Sequence, residues 1–380
     1  FIQMICGRSL NKMNKTYDFK SIAENFNLEG ELKTSDSHVC GHINDTFIIN
    51  CEGENGEEIK YVLQRVNSDI FKNPEQLMEN IENVTSHIKN KIIEENGDPL
   101  RETLNIVKTK EGKSFYKCKE GNYWRIFNFI HGASTYQIVE KPEHLYTAGK
   151  ALGKFQKQLS DFNVDMLYDT IPDFHNTEKR FEAFMEAVRE DKKGRAKDVK
   201  EEIDFVINRA EDTKVLVNMI KENKLPLRVT HNDTKFNNIM IDDETGEGIA
   251  VIDLDTVMPG LSLYDFGDSI RSGATTALED EVDLSKVNFD LNLYEHFAKG
   301  FLESAGDAFT KEEIEYLPFA AKLMTFECGM RFLMDYLNGD VYFKIHRENH
   351  NLDRARNQFK LVSDMEKEMD NMKKIVYSYI

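Results

Sequence analysis

One segment leaves this chain little conformational freedom. His231-Asn-Asp-Thr-Lys-Phe-Asn-Asn238 runs into the apolar Ile239 to Ile241, the polar Asp242 to Gly248, and then Ile249 to Leu254, with Asp253 at its end. Two short branched runs about a Gly-containing polar turn predict an antiparallel hairpin. The eight residues before it are too polar to be either strand, so they form a loop that a rigid element follows. The order is loop, strand, turn, strand, carboxylate.

The rest of the chain sets bounds on what surrounds that loop. At 380 residues and 40% apolar content it can bury more than one core, and two lobes are the simplest reading. A net charge of −18 and a pI near 5.1 leave no basic footprint, which excludes a nucleic-acid or anionic-membrane partner and signals solubility. Cys6, Cys40, Cys51, Cys118 and Cys328 are odd in number, scattered and without a Cys-x-x-Cys pair. They predict reduced thiols in a cytoplasmic protein, with no disulfide and no zinc; a monomer is the expectation, though not one the cysteines supply. No apolar run reaches the roughly 18 residues of a membrane span. Phe1 to Cys6 is too short for a signal-peptide core and follows no basic residue. The chain starts at Phe with Met13 downstream, so residues 1–12 are set aside as upstream read-through or a fragment end.

Periodicity divides the chain near residue 130, into a first domain over 13–130 and a second over 131–380. Gly41-His-Ile-Asn-Asp-Thr46 leads into Phe47 to Ile49, and Ile59 to Val66 follows another turn, as antiparallel strands do. Leu77, Ile81, Val84, Ile88 and Ile92 keep helical spacing over 73–94, with Pro74 near the start. Strands are predicted over 104–109, 116–119 and 123–130. Beyond them, helices are predicted over 145–159, 178–188 and 198–223 and through most of the chain after Leu291, with the hairpin as the only strands of the second half. Glu186 to Glu202 reads as a solvated helix face.

The chemistry follows from which polar groups the loop assembles. Phosphoryl transfer needs an oriented hydroxyl, magnesium across the phosphates and fixed positive charge. Asp233 is placed to orient the acceptor and take its proton, while Asn238 and Asp253 offer the oxygen ligands that a hard cation prefers. His231 is read as ordering the loop. Asp265-Phe266-Gly267 spells the protein-kinase magnesium motif, but it lies 32 residues after Asp233, beyond Pro259-Gly260, and does not directly follow the hairpin. Asp265 is therefore assigned to capping the next segment or bracing the loop, and Asp255 is read as a turn carboxylate with a second metal contact as its alternative.

With those residues in place, the chain resembles the aminoglycoside phosphotransferase-like kinases and, within them, most closely the N-acetylhexosamine 1-kinases. The resemblance rests on 231–238, on 251–271 (VIDLDTVMPGLSLYDFGDSIR), on 124–133 (WRIFNFIHGA) and on 331–344 (RFLMDYLNGDVYFK), and it runs from about Met13 to the C-terminus. It implies an α+β, bilobal protein-kinase-like fold: an N-terminal lobe of antiparallel strands plus a helix, and a larger, mainly helical C-terminal lobe. ATP and Mg2+ are the implied cofactors, and the anomeric hydroxyl of GlcNAc or GalNAc is the implied acceptor. Carried over by position, Asp233 is similar to the catalytic Asp, and Asn238 and Asp253 to the magnesium ligands. Arg331, Tyr342 and Thr256 are similar to sugar-holding residues. Gly41, His42, Asn44 and Thr46 resemble the loop over the ATP phosphates, and the backbone of Phe129, Ile130 and His131 resembles the hinge facing adenine.

The sequence departs from many relatives on the third strand, where a Lys pairs with ATP phosphates. Here Gln64 holds that place and Arg65 stands beside it, on the opposite face by strand alternation. Which cation supplies the charge is left open. Glu327 and Arg331 by themselves read as a surface i,i+4 pair worth ~0.3 to 0.5 kcal/mol, and only the resemblance favours a sugar role. His175 either lines the acceptor side or packs its own loop. His346 and His350 lack the Glu placement of a zinc helix and read as solvated helix residues, while Glu111 to Ser114 lacks the first glycine of a P-loop and reads as a hairpin turn. The rival readings are a kinase for an aminoglycoside, homoserine or amino alcohol, and a nucleotide-binding pseudokinase scaffold.

Overall fold

The computed structural model describes residues 17–39, 43–136, 139 and 141–379. It divides into two compact units, Phe1–His131 and Gly132–Ile380. The fold is α+β and kinase-like.

The first unit contains α1 (Phe19–Ala23), β1 (Glu31–Val39), β2 (Asp45–Glu52), β3 (Glu58–Val66), α2 (Pro74–Glu94), β4 (Ile106–Val107), β5 (Tyr116–Lys117) and β6 (Tyr123–Asn128). Its antiparallel sheet has the order β1-β2-β3-β6-β4, with β5 also on β6. Strand alternation sorts the side chains. Phe47, Ile49, Tyr61, Leu63, Trp124 and Ile126 join one core cluster with Ile22 and Phe26. The intervening positions Thr46, Gln64 and Arg125 therefore share the other face, where α2 supplies Met78 against Arg125. Pro74 opens α2 where no backbone N–H is needed, and Leu77, Met78, Ile81, Val84, Ile88 and Ile92 bury its apolar stripe.

The strands predicted over 104–109 and 116–119 shrink to two residues each. Thr109 leaves the sheet to bridge Phe26, and its N–H donates to the Lys113 carbonyl, closing a turn at Gly112 with φ +79°. Glu111 to Ser114 is thus a turn.

The second unit contains β7 (Ala133–Ser134), α3 (Pro142–Gln158), α4 (Thr177–Glu190), α5 (Lys200–Ile207), α6 (Val215–Lys221), β8 (Arg228–Thr230), β9 (Ile239–Asp242), β10 (Gly248–Val251), β11 (Met258–Gly260), α7 (Ser262–Gly273), α8 (Leu291–Ala305), α9 (Lys311–Asn338) and α10 (His350–Tyr377). The predicted hairpin is β9–β10, but it is not alone: β7 extends it and β8 pairs with β11. Strands of two or three residues are too short for a period to register. The charged run 186–202 is not one helix face either. Asp191 adopts the left-handed conformation (φ +39°) and ends α4, and a 3-10 turn over Ala210–Lys214 separates α5 from α6.

Close helix packing sets the frame under the hairpin. α3 and α8 cross at glycines: a Cβ on Gly149 would lie 2.3 Å from the Phe297 carbonyl oxygen, and one on Gly300 2.2 Å from that of Tyr146. α9 starts at a capping box in which Thr310 Oγ1 accepts from the Glu313 N–H and Glu313 Oε2 accepts from the Thr310 N–H. Glu313 also receives Arg228 of β8 and Ser262 of α7, tying α9 to the strands that flank the polar loop. Gly339, at φ +98°, stops α9. His350 is a correction: it is buried at the first turn of α10, with Nε2 on Asp280, and His346 lies in the preceding turn.

Candidate active site

The loop between β8 and β9 is held from beneath by α7. Asp265, in the first turn of that helix and wholly buried, accepts the His231 N–H on Oδ2 (2.9 Å) and the Asn232 N–H on Oδ1 (2.8 Å). Gln156 of α3 donates to the same Oδ2 at 2.6 Å, while Thr234 donates to the Asp265 carbonyl and Ser269 to that of Thr234. This is the bracing role the sequence assigned to the residue. Burial pushes the Asp265 carboxyl up to about 6, against the opposing pull of the His231 and Asn232 backbone N–H donors.

His231 orders the loop from within. Its Nδ1 accepts the Asp233 N–H, so Nε2 carries the proton that it donates to the Ile252 carbonyl at 2.9 Å. Asn232 sits at φ +66° and donates its amide to the Thr230 and Thr256 carbonyls. Thr256 is buried, with its hydroxyl donating to the His231 carbonyl at 2.6 Å, so in this structure it supports the loop and keeps only lone pairs for a ligand.

The turn projects Asp233 outward into a half-buried position, where its carboxylate meets Lys235 Nζ at 2.8 Å. Burial raises the Asp233 carboxyl, but Lys235, with help from Arg271, holds it below the ordinary aspartate value. Lys235 in turn is raised, because Asp233 and Asp268 outweigh its desolvation. The group at this position is an ionised carboxylate with a fixed cation beside it. Lys235 had no role in the sequence reading, since spacing alone does not say which loop side chains turn toward one another.

Asn238 and Asp253 are drawn together by the backbone. The Ile252 N–H donates to the Asn238 carbonyl at 2.9 Å, and Asn238 Nδ2 donates to the Asp233 carbonyl at 2.7 Å. The amide nitrogen is thus committed, which leaves the amide oxygen as the atom that would meet a cation. Asp253 lies just past β10, exposed and in the left-handed conformation (φ +61°). Among the described residues no group of three or more His, Cys, Asp or Glu is arranged around a metal. Two oxygen donors nevertheless fit magnesium, which typically takes one or two protein ligands and completes its octahedron with phosphate and water.

A second polar cluster adjoins the loop. His175 Nδ1 meets the buried Glu327 at 3.0 Å, and its Nε2 faces the Asn232 carbonyl at 3.4 Å. The Glu327–Arg331 pair is no surface pair, because Glu327 is 1% exposed, with Arg331 Nη1 3.8 Å away. Burial pushes Glu327 up, but His175, Arg331 and Arg180 hold it below the usual carboxylate range. The Arg331 guanidinium lies 5.6 Å from the Phe174 ring centroid, 6.0 Å from Tyr342 and 5.5 Å from Phe343. Asp335, one turn beyond Arg331 on α9, accepts the N–H groups of Val341, Tyr342 and Phe343 and folds that loop back onto the helix. Tyr342 itself is exposed. Sequence reading missed Asp335, although an Asp shortly before a Gly stop is a reasonable candidate for collecting backbone N–H groups.

In the first unit, Gly41 and His42 lie outside the described residues. Asn44 is buried and accepts the Asn67 N–H. Gln64 and Arg65 do face opposite ways: Gln64 Nε2 donates to Thr46 Oγ1 at 3.0 Å, and Arg65 is ion-paired with Asp45 on the Trp124 side. The Phe129 N–H donates to the Lys60 carbonyl, Ile130 is buried, and the His131 carbonyl accepts from Arg101.

A family model described as the phosphotransferase enzyme family matches residues 41–301, more than half of the chain. Among solved structures, the chain is similar to an aminoglycoside phosphotransferase from Alicyclobacillus acidocaldarius at 12% identity and TM-score 0.62, over 94% of this chain and 96% of that one. It is similar to a microcompartment-associated aminopropanol kinase at 12% identity and TM-score 0.55, over 93% and 98%. It is also similar to an ethanolamine kinase from Plasmodium vivax at 17% identity and TM-score 0.53, over 86% and 82%.

Proposed function

We propose, on the premise that this chain belongs to the phosphotransferase enzyme family, that it is an ATP- and Mg2+-dependent kinase acting as a monomer on the anomeric hydroxyl of N-acetylhexosamines, GlcNAc or GalNAc, to give the sugar 1-phosphate. Asp233 orients the hydroxyl and accepts its proton as the sugar oxygen bonds to the γ-phosphorus, the bond to the β-phosphate oxygen breaks, and ADP leaves. Lys235 keeps that carboxylate ionised and aimed, and His231, Asp265 and Thr256 keep the loop that carries it in one conformation. Asn238 and Asp253 would hold the magnesium, which when bound neutralises charge on the phosphates.

One observation carries the choice of acceptor. The polar cluster that adjoins the loop at Asn232 sets two arginines, Arg180 and Arg331, against the buried carboxylate of Glu327 beside the rings of Phe174 and Tyr342, and Asp173, which also faces Arg180, is already ion-paired with Lys179. That excess of positive charge repels an aminoglycoside or amino-alcohol cation, whereas a neutral amide-bearing sugar can hydrogen-bond to guanidinium and carboxylate and lie against an aromatic face.

The test is coupled ADP release with a panel of N-acetylhexosamines, amino alcohols and aminoglycosides, with the product identified by phosphorus NMR. Turnover with GlcNAc or GalNAc and a phosphate on the anomeric carbon is expected. If no N-acetylhexosamine raises ADP release above background hydrolysis, the acceptor is wrong.

A further inference from the structure

On the face of the first unit's sheet that carries Gln64, three cross-strand partners stand in one row: Thr46 of β2, Gln64 of β3 and Arg125 of β6. Arg125 is 1% exposed, which is costly for a guanidinium unless its position is specified. It packs over the Phe127 ring and against Met78, and its Nε donates to Gln64 Oε1 at 2.9 Å.

The direction of these hydrogen bonds is fixed by chemistry. A guanidinium has no acceptor, so the Gln64 atom it meets must be the carbonyl oxygen. That settles the orientation of the amide and turns its NH2 toward Thr46, whose Oγ1 accepts at 3.0 Å. Having accepted from Gln64, the Thr46 hydroxyl directs its own proton onward, and the Gln64 amide has a second N–H. Arg125 thereby makes the half-exposed end of the row a set of donors, polarised by a cation one strand behind. An anion is what such an end suits.

We propose that Arg125 is a positioning residue that replaces the third-strand lysine of kinases: it acts through Gln64 and Thr46 on the nucleotide phosphates. This rests on the reading of the chain as an ATP-dependent kinase. It moves the missing charge from β3 to β6 and gives Arg65, committed to Asp45 on the other face, no part in it.

The experiment measures ATP and ADP binding by calorimetry on the full chain without acceptor, with Tm recorded for each variant. Gln64→Glu keeps the shape and an Arg125 partner but turns a donor into an acceptor. Binding is expected to weaken by about tenfold to a hundredfold with Tm held or raised. Thr46→Val weakens binding less. Arg125→Met weakens it as well, and the Gln64→Lys/Arg125→Met double variant recovers it, because the lysine then delivers the charge directly. Unchanged affinity in a folded Gln64→Glu protein overturns the proposal, as does failure of the lysine to rescue a folded double variant. Nucleotide binding without sugar turnover refutes only the acceptor assignment, whereas a wild type that binds no nucleotide refutes the kinase reading and this inference with it.

Discussion

Asp233 and Asp265 are both aspartates of the same loop system, yet their surroundings push them in opposite directions. Asp233 is held below its ordinary value by Lys235 despite burial, so it stays ionised through neutral and mildly acidic pH. Asp233→Asn removes the proposed base and keeps the shape, and kcat is expected to fall by roughly 10² to 10⁴ with ATP binding retained, as single-turnover kinetics and calorimetry will show. Asp265 is raised to about 6 from 3.8, so the folded state holds its proton more tightly than the unfolded chain. The sign is that this group's contribution to stability falls as pH rises across that window and is least favourable above it. Protonation also sets a donor against the His231 or Asn232 N–H, so an acid limb in kcat is expected near pH 6. In Asp265→Asn the limb disappears, and kcat is flat across that range at on the order of tenfold below the wild-type plateau, a loss sized to one charge-assisted hydrogen bond. A limb that persists near pH 6 in this variant refutes the assignment.

At the scale of elements, α9 links the site to the frame, since Glu313 ties its start to β8 and α7 while Glu327, Arg331 and Asp335 occupy its second half. Asp335→Ala releases the N–H groups of Val341, Tyr342 and Phe343. It is expected to raise KM for the acceptor with KM for ATP unchanged; parallel changes in both would make Asp335 a general stability residue. The α3–α8 crossing makes a separate prediction. Gly300→Ala places a methyl 2.2 Å from the Tyr146 carbonyl and is expected to cost about 1 to 3 kcal/mol, read from denaturant unfolding, with KM values unaltered. Both follow from backbones that approach closely or loops that one carboxylate gathers.

For the whole molecule, the proposed metal site and the fold are expected to be separable. Asn238 ends a buried 3-10 turn that its own hydrogen bond to the Asp233 carbonyl holds, and Asp253 is exposed just past β10, so chelation is expected to abolish turnover, added Mg2+ to restore it, and Tm to stay where it was; a fall in Tm on chelation would place the metal within the fold. Cys51, Cys118 and Cys328 are free thiols, and no helix among the described residues is long and apolar enough to cross a membrane. Much of the architecture was legible because it depends on neighbours in the chain. The amphipathic stripe of α2, the hairpin about Asp242 to Gly248 and the stop at Gly339 each follow from periodicity or turn chemistry within a few residues. Composition misled where helix-favouring charges hid the break at Asp191, and β7, β8 and β11 were too short to register. By itself the sequence determined the loop, the hairpin and the carboxylates Asp233 and Asp253. Only the tertiary structure decided that Asp265 grips the backbone 33 residues before it, that His175 meets Glu327 across 152 residues, and that Arg125 stands behind Gln64 across 61. Those partners are set by how strands and helices stack, and a hydrogen bond between side chains so far apart in the chain leaves no local pattern from which to read it.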